Sequence, residues 1–332
     1  MRPRPATLAA VVIVVAVVAY VIIRLVPAPS SHPSAGEPLP TKAASYLGVY
    51  EHGPPDSYQR IAEFTTTAGC QPNLVGYYSG WRQPFEAQFA DTIHRHGAVT
   101  LMQWDPTDAS IWKIAEGGYD RYLRSFADSI RDYGQPVVIG FGHEMNANWY
   151  SWGYGHVPPR TFVAAWRHIV TLFRAQGADN VTWLWTINAD LPTTGPIASW
   201  WPGASYVTWV GIDGYYYRPS DTFASVFGKT IVQVRAITNK PVLLSETAVG
   251  PEAGQAAKIP GLFAGMRQYQ TLGLVWFDIA QDNGLYHQDW RIEDSPAAEA
   301  AFRRGASTLK LARFLSTTAD RIPLEPGRAL ER

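Results

Sequence analysis

The sequence predicts a (β/α)8 TIM barrel of the α/β class, preceded by one apolar N-terminal helix and a proline-rich linker. Three observations carry this. Eight short apolar runs alternate with amphipathic helical patterns between residues 45 and 312. Polar and aromatic side chains gather where those runs end, as they do on the functional face of a barrel. The first run leads into Tyr50-Glu-His-Gly-Pro-Pro55, which is not the glycine-rich turn that the competing doubly wound sheet places there.

The elements follow in order. Arg2 and Arg4 precede an apolar stretch, and residues 7–26 form a helix of about 30 Å, long enough to span a bilayer with Arg24 snorkelling at its end. No convincing small-x-small cleavage site follows. Residues 1–26 are therefore expected to be a single-pass anchor in the cell membrane with the remainder extracytoplasmic, the alternative being a cleaved signal peptide and a secreted protein. Residues 27–44 carry Pro27, Pro29, Pro33, Pro38 and Pro40 among Ser, Ala and Gly, a composition that makes an extended linker and no core.

From Ser45 the strand-like runs are Tyr46–Tyr50, Leu74–Tyr78, Ala98–Trp104, Val137–Phe141, Val181–Ile187, Tyr206–Ile212, Val242–Leu244 and Leu272–Phe277. Between them Phe85–His96, Tyr119–Tyr133, Arg160–Gln176 and Thr222–Ile237 read as helices. Tyr122, Phe126 and Ile130 recur every four residues, as one buried helix face requires. Trp166, Trp183, Trp185 and Trp209 lie within elements and are expected to pack. Residues 45–312 form the barrel domain, and 313–332, which lack periodicity, a C-terminal tail.

Composition narrows the partners. Lys+Arg and Asp+Glu are both 28, so no basic face is offered and a nucleic-acid partner is disfavoured. The single Cys70 excludes an internal disulfide and any multi-cysteine metal site. Neither a metal nor an organic cofactor is implied. Thirteen tryptophans suit either a large core or a carbohydrate-binding cleft.

Two stretches hold the candidate chemistry. Gly140-Phe-Gly-His-Glu-Met-Asn-Ala-Asn-Trp-Tyr-Ser-Trp-Gly153 delivers His143 and Glu144 at the end of the fourth run. Pro241-Val-Leu-Leu-Ser-Glu-Thr-Ala-Val-Gly250 delivers Glu246 at the end of the seventh. Other strand ends carry Trp81, Trp104 and Asp105, Asn188 and Asp190, Asp213 and Tyr215, and Trp276 and Asp278. A zinc peptidase would need a second His at position 147, which is Ala. Two carboxylates across a barrel mouth are what glycoside hydrolysis needs: one protonates the leaving oxygen, and the other attacks the anomeric carbon or activates water.

The stretch Gly142-His-Glu-Met-Asn-Ala-Asn-Trp-Tyr-Ser-Trp152, with Ser245-Glu246 later, resembles glycoside hydrolase family 26, the β-mannanases and related β-glucanases and β-xylanases. The resemblance spans roughly residues 46–311. It implies a retaining endo-β-glycanase, most readily a mannan endo-1,4-β-mannosidase, with a mixed-linkage β-1,3-1,4-glucanase as the alternative. A surface-tethered protein that binds polysaccharide without cutting it is the reading from another class. The resemblance also implies Glu144 as acid/base, Glu246 as nucleophile and His143 as a partner of a substrate hydroxyl. Tyr215 would orient Glu246, and Trp149 and Trp276 would line the sugar subsite. Trp81 and Trp104 are candidates for stacking sugars further along.

Overall fold

The computed structural model describes residues 38–189, 194–250, 252–281 and 288–314. The expected membrane span, most of the linker, most of the tail and Asp190 lie outside them. Among the described residues no helix is long and apolar enough to cross a membrane.

Eight parallel strands close into a barrel in sequence order. They are β1 (Tyr46–Tyr50), β2 (Leu74–Gly80), β3 (Val99–Asp105), β4 (Val137–Phe141), β5 (Val181–Asn188), β6 (Trp209–Tyr216), β7 (Val242–Val249) and β8 (Gly273–Phe277). β8 pairs with β1, Tyr46 against Gly273 through Tyr50 against Phe277, and so removes the last open edge. The main helices around it are α1 (Gln59–Ala68), α2 (Ala87–Arg95), the short α3 (Ile111–Ala115), α4 (Asp120–Tyr133), α5 (Pro159–Ala175), α6 (Lys229–Ile237), α7 (Gln255–Gln268) and α8 (Pro296–Ala306).

Alternation along each strand sorts side chains into two cores. One set points inward: Tyr46, Leu74, Val99, Leu101, Val138, Leu184, Trp209, Leu243 and Val275 fill the barrel's interior. Leu39 and Phe314, one from each flank of the expected domain, belong to this same cluster. Phe314 lies along Tyr46 with ring centroids 6.1 Å apart. The other set packs against the helices. α4, for example, buries Leu123, Phe126, Ala127 and Ile130, while Tyr122 is only half-buried. Gly134 stops this helix at φ +74°, a left-handed turn that glycine accepts without strain.

Ten of the 13 tryptophans are buried. Each removes roughly 150–250 Å² from water, about 4–6 kcal/mol at 25 cal/mol per Å². The aromatic richness of the sequence therefore belongs mainly to the core, not to a sugar cleft.

Two strands extend furthest past their apolar runs. β6 continues to Tyr216 and β7 to Val249, so Asp213, Tyr215 and Glu246 lie on strands rather than after them. Pairing is a matter of backbone hydrogen bonds, and at the mouth of the barrel polar side chains can face one another without breaking it.

Candidate active site

Glu144 is placed by a sharp turn after β4. Gly142 takes φ +55° and Glu144 itself φ +54°, a left-handed conformation that a residue with a Cβ adopts only at a cost of about 1–2 kcal/mol. Two contacts with β5 hold it there. The Glu144 amide donates to Thr186 O at 2.9 Å. Asn146 then clasps the backbone of Asn188, donating from Nδ2 to its carbonyl and accepting its N–H at Oδ1, both at 2.9 Å. The Glu144 carboxylate accepts a hydrogen bond from Asn188 Nδ2 at Oε1 and one of 2.8 Å from the Trp149 indole at Oε2. Trp149 is 44% exposed, so one edge of its ring touches Glu144 while much of it faces solvent.

Glu246 stands across from it on β7, also held at both oxygens. Tyr78 from β2 donates to Oε1, and Tyr215 from β6 donates to Oε2. Tyr50 stacks on Tyr78 at 4.9 Å, and Phe277 meets Tyr215 edge-on at 5.8 Å. Both hydroxyls are held well above the ordinary tyrosine range, by burial first and then by the Glu246 charge, so they remain donors.

A third carboxyl lies beside this pair. Asp213 is opposite Glu246 in the β6–β7 register, is fully buried, and accepts a 2.6 Å hydrogen bond from Ser245 Oγ. One oxygen from each of Glu144, Asp213 and Glu246 lies within 4.8 Å of the others. This trio could hold a cation by distance alone. Yet Glu144 and Glu246 are already occupied by donors at both oxygens, and a cationic histidine faces them. The trio is better described as a cluster of facing carboxyls. Burial, followed by the Glu144 charge, raises Glu246 from the usual carboxylate range to about 6, against the opposing pull of His143, Tyr215 and Tyr78. Burial and then the Glu246 and Glu144 charges hold Asp213 well above its ordinary value.

His143 is the counter-ion. Burial alone would lower its pKa, but Asp105, 2.7 Å from Nδ1, reverses this and raises it to about 10. At neutral pH the ring is an imidazolium, donating to Asp105 from Nδ1 and to Tyr150 OH at 3.1 Å from Nε2. It is 3% exposed with both nitrogens engaged by protein. In this arrangement the ring supplies charge to the cluster.

The structure brings Glu144, His143, Trp149, Tyr215 and Glu246 together. It does not bring the other three tryptophans. Trp276 is fully buried on the outer face of β8, edge-on to Phe302 of α8, with Nε1 shared between Asp278 Oδ1 and Trp290 O. Strand alternation is the reason: the inward residue is the next one, Phe277, which meets the site tyrosines. Trp81 and Trp104 stack on each other at 4.8 Å, and Trp104 stacks on Phe126 of α4 at 4.5 Å. Both are buried between barrel and helices and cannot stack on a sugar.

Reading the sequence missed Tyr78, Tyr150, Asn146 and Phe277. A signal existed for Tyr78, since in Leu74–Gly80 the residues of its parity, 74, 76, 78 and 80, are the inward set once Leu74 is placed inside.

Residues 113–308 match the family model described as Glycosyl hydrolase family 26. The chain belongs to that family. It is 30% identical over 268 residues to Endoglucanase H of Acetivibrio thermocellus, a match covering 76% of this chain and 29% of that protein. It is 26% identical over 176 residues to Beta-1,3-xylanase TXYA of Vibrio sp., covering 50% of this chain and 36% of the other. The chain thus spans about a third of the length of these relatives. In fold the family 26 domain is similar to a Cellulomonas fimi endo-beta-1,4-mannanase double mutant. The TM-score is 0.62 at 16% identity, over 84% of this chain and 74% of that one.

Proposed function

We propose that the protein is a retaining endo-β-glycanase that cleaves β-linked polysaccharide through a covalent glycosyl-enzyme. The observation carrying this reading is the close approach of Glu144 and Glu246, with oxygens within 4.8 Å. Retaining pairs stand about 5–5.5 Å apart, whereas inverting pairs need about 6.5–9.5 Å to admit a water. In the first step a Glu246 oxygen bonds to the anomeric carbon as that carbon's bond to the glycosidic oxygen breaks. Glu144 gives its proton to the departing oxygen. In the second step Glu144 takes a proton from water, whose oxygen replaces Glu246 at the same carbon. The two tyrosine hydroxyls on Glu246 favour its charged form, which suits it to attack. Glu144, beside the half-exposed Trp149, is the carboxyl that a leaving sugar can reach.

For the substrate, β-1,4-mannan is the first reading, in keeping with the His-Glu stretch. A β-glucan is the second, favoured by the 30% identity with Endoglucanase H. The apolar run 7–26 is proposed to tether the hydrolase at the outer face of the cell membrane, which membrane fractionation of the full chain tests. The deciding experiment is hydrolysis of a panel containing mannan, mixed-linkage glucan and β-1,3-xylan by the protein, Glu144→Gln and Glu246→Gln. Oligosaccharides from one glycan, absent with both variants, support the reading and name the substrate. Binding without cleavage of any glycan would replace it with a polysaccharide-binding role.

A further inference from the structure

Outside the catalytic cluster, a second set of buried carboxyls sits where β1 and β8 end. Glu51 directly follows β1 and Asp278 directly follows β8, and Glu293 comes from the segment before α8. Asp278 is 1% exposed and Glu51 8% exposed. The two oxygens of Asp278 have opposite surroundings. Oδ1 accepts two hydrogen bonds, from Trp276 Nε1 and from the Ile292 amide, both at 3.1 Å. Oδ2 is buried with no donor near it, and its charged neighbours are the carboxyls of Glu293 and Glu51. Glu51 Oε2 and Glu293 Oε2 are likewise buried without a donor. Oxygens that face only other acceptors are held together by a proton or not at all.

We propose that Asp278, Glu51 and Glu293 share a bound proton that ties the end of β1 to the end of β8, and that through this tie they are positioning residues for Glu246. The route is short. Tyr50, the neighbour of Glu51, stacks on Tyr78, and Phe277, the neighbour of Asp278, packs on Tyr215. These are the two tyrosines that hold Glu246. The proposal rests on the reading of Glu246 as nucleophile.

The charges facing the cluster leave room for one proton. From α1, Arg60 approaches Glu51 at 3.8 Å and Glu293 at 3.6 Å, too far for a hydrogen bond, while its close partner is Glu63 at 2.8 Å. Beyond Glu293, Arg291 is taken by Asp289 and Asp294, each at 2.6 Å. Two buried carboxylates and a half-buried third, sharing one guanidinium that lies beyond hydrogen-bond reach, would be left repulsive. In agreement, burial raises Glu51 to about 7, and burial with the Glu293 and Glu51 charges holds Asp278 well above the usual range. The sign follows. Carboxyls raised in the folded state contribute stability that is complete below about 4.5 and is lost as pH rises through about 7.

The test compares Asp278→Asn with the unaltered protein from pH 5 to 9, by thermal unfolding midpoint and by glycan hydrolysis. The amide keeps an acceptor for Trp276 and Ile292 and carries hydrogens that cannot be lost. The expected result is a flatter fall of the midpoint above pH 6 and an alkaline limb of kcat moved up by at least about one pH unit, with KM moved far less than kcat. Glu51→Gln, which supplies the donor from the other side, is expected to do the same and serves if Asp278→Asn does not fold. Parallel midpoint profiles in both variants would overturn the shared proton. A flattened profile with the alkaline limb unmoved would overturn the positioning role. Stabilisation of the unaltered protein by calcium ions at pH 8, absent in Asp278→Asn, would place a cation there instead and overturn the proposal. Absence of glycan cleavage by the unaltered protein would count against the hydrolase reading, and with it the role for Glu246. The melting comparison would still decide the proton.

Discussion

Tyr78 reaches across the barrel mouth from β2 to donate its hydroxyl to Glu246 on β7. The two residues are 168 positions apart in the chain and belong to strands that do not pair. With Tyr215 on the other oxygen, the carboxylate is fixed at both ends before any sugar arrives. Preorganisation of this kind removes reorganisation from the barrier itself.

Tyr78→Phe deletes one hydrogen bond to a charged group, worth about 1.5–3 kcal/mol. The expected loss in kcat/KM is about 10- to 100-fold, with the acid limb of the profile displaced upward, because the bond favours the charged form of Glu246. Steady-state kinetics against pH check both. An unchanged acid limb would mean that Tyr78 does not act on Glu246.

Under the proposed hydrolase reading, the pH–rate profile of the unaltered protein should have its acid limb near 6, where Glu246 gains its proton. Asp105→Asn removes the charge that keeps His143 cationic, so the acid limb should rise as the cation's help to Glu246 is lost.

The same substitution has a signature in stability. His143 is raised from about 6.5 to about 10 in the folded protein, so its contribution is complete below pH 6.5 and is lost as pH climbs through 10. Unfolding by denaturant between pH 6.5 and 10 should show this decline in the unaltered protein and a flatter one in Asp105→Asn.

Tryptophans near the site should separate cleanly. Trp104→Ala leaves a large void between β3 and α4 and should cost about 3–5 kcal/mol by denaturant unfolding. Trp149→Phe deletes the N–H on Glu144 from a half-exposed side chain, so it should lower kcat several-fold while moving the unfolding midpoint little.

The barrel and the two glutamates were legible because their signals are local. Apolar runs punctuated by turns mark strands, and a lone carboxylate after such a run is conspicuous. What the sequence could not convey was direction. Trp276 and Phe277 are adjacent and both apolar, and only the barrel's pleat decides which faces the site. Trp81 and Trp104 looked like sugar platforms because tryptophan at a strand end reads the same whether it faces a cleft or a helix. His143 was identified as part of the site, yet its charge depends on Asp105, 38 residues earlier. The Glu51–Asp278–Glu293 cluster was invisible for a similar reason: barrel closure alone brings β1 beside β8.

The backbone at Glu144 has a consequence for how this fold can be altered. A left-handed φ of +54° is glycine's natural ground, so Glu144→Gly would give the turn the residue its geometry favours while removing the carboxylate. Random mutagenesis selected only for thermal resilience should therefore drift toward inactivation at this one position. A stabilising screen run on this protein needs turnover of the proposed substrate as a second filter, or it will reward the loss of the Glu144 carboxylate.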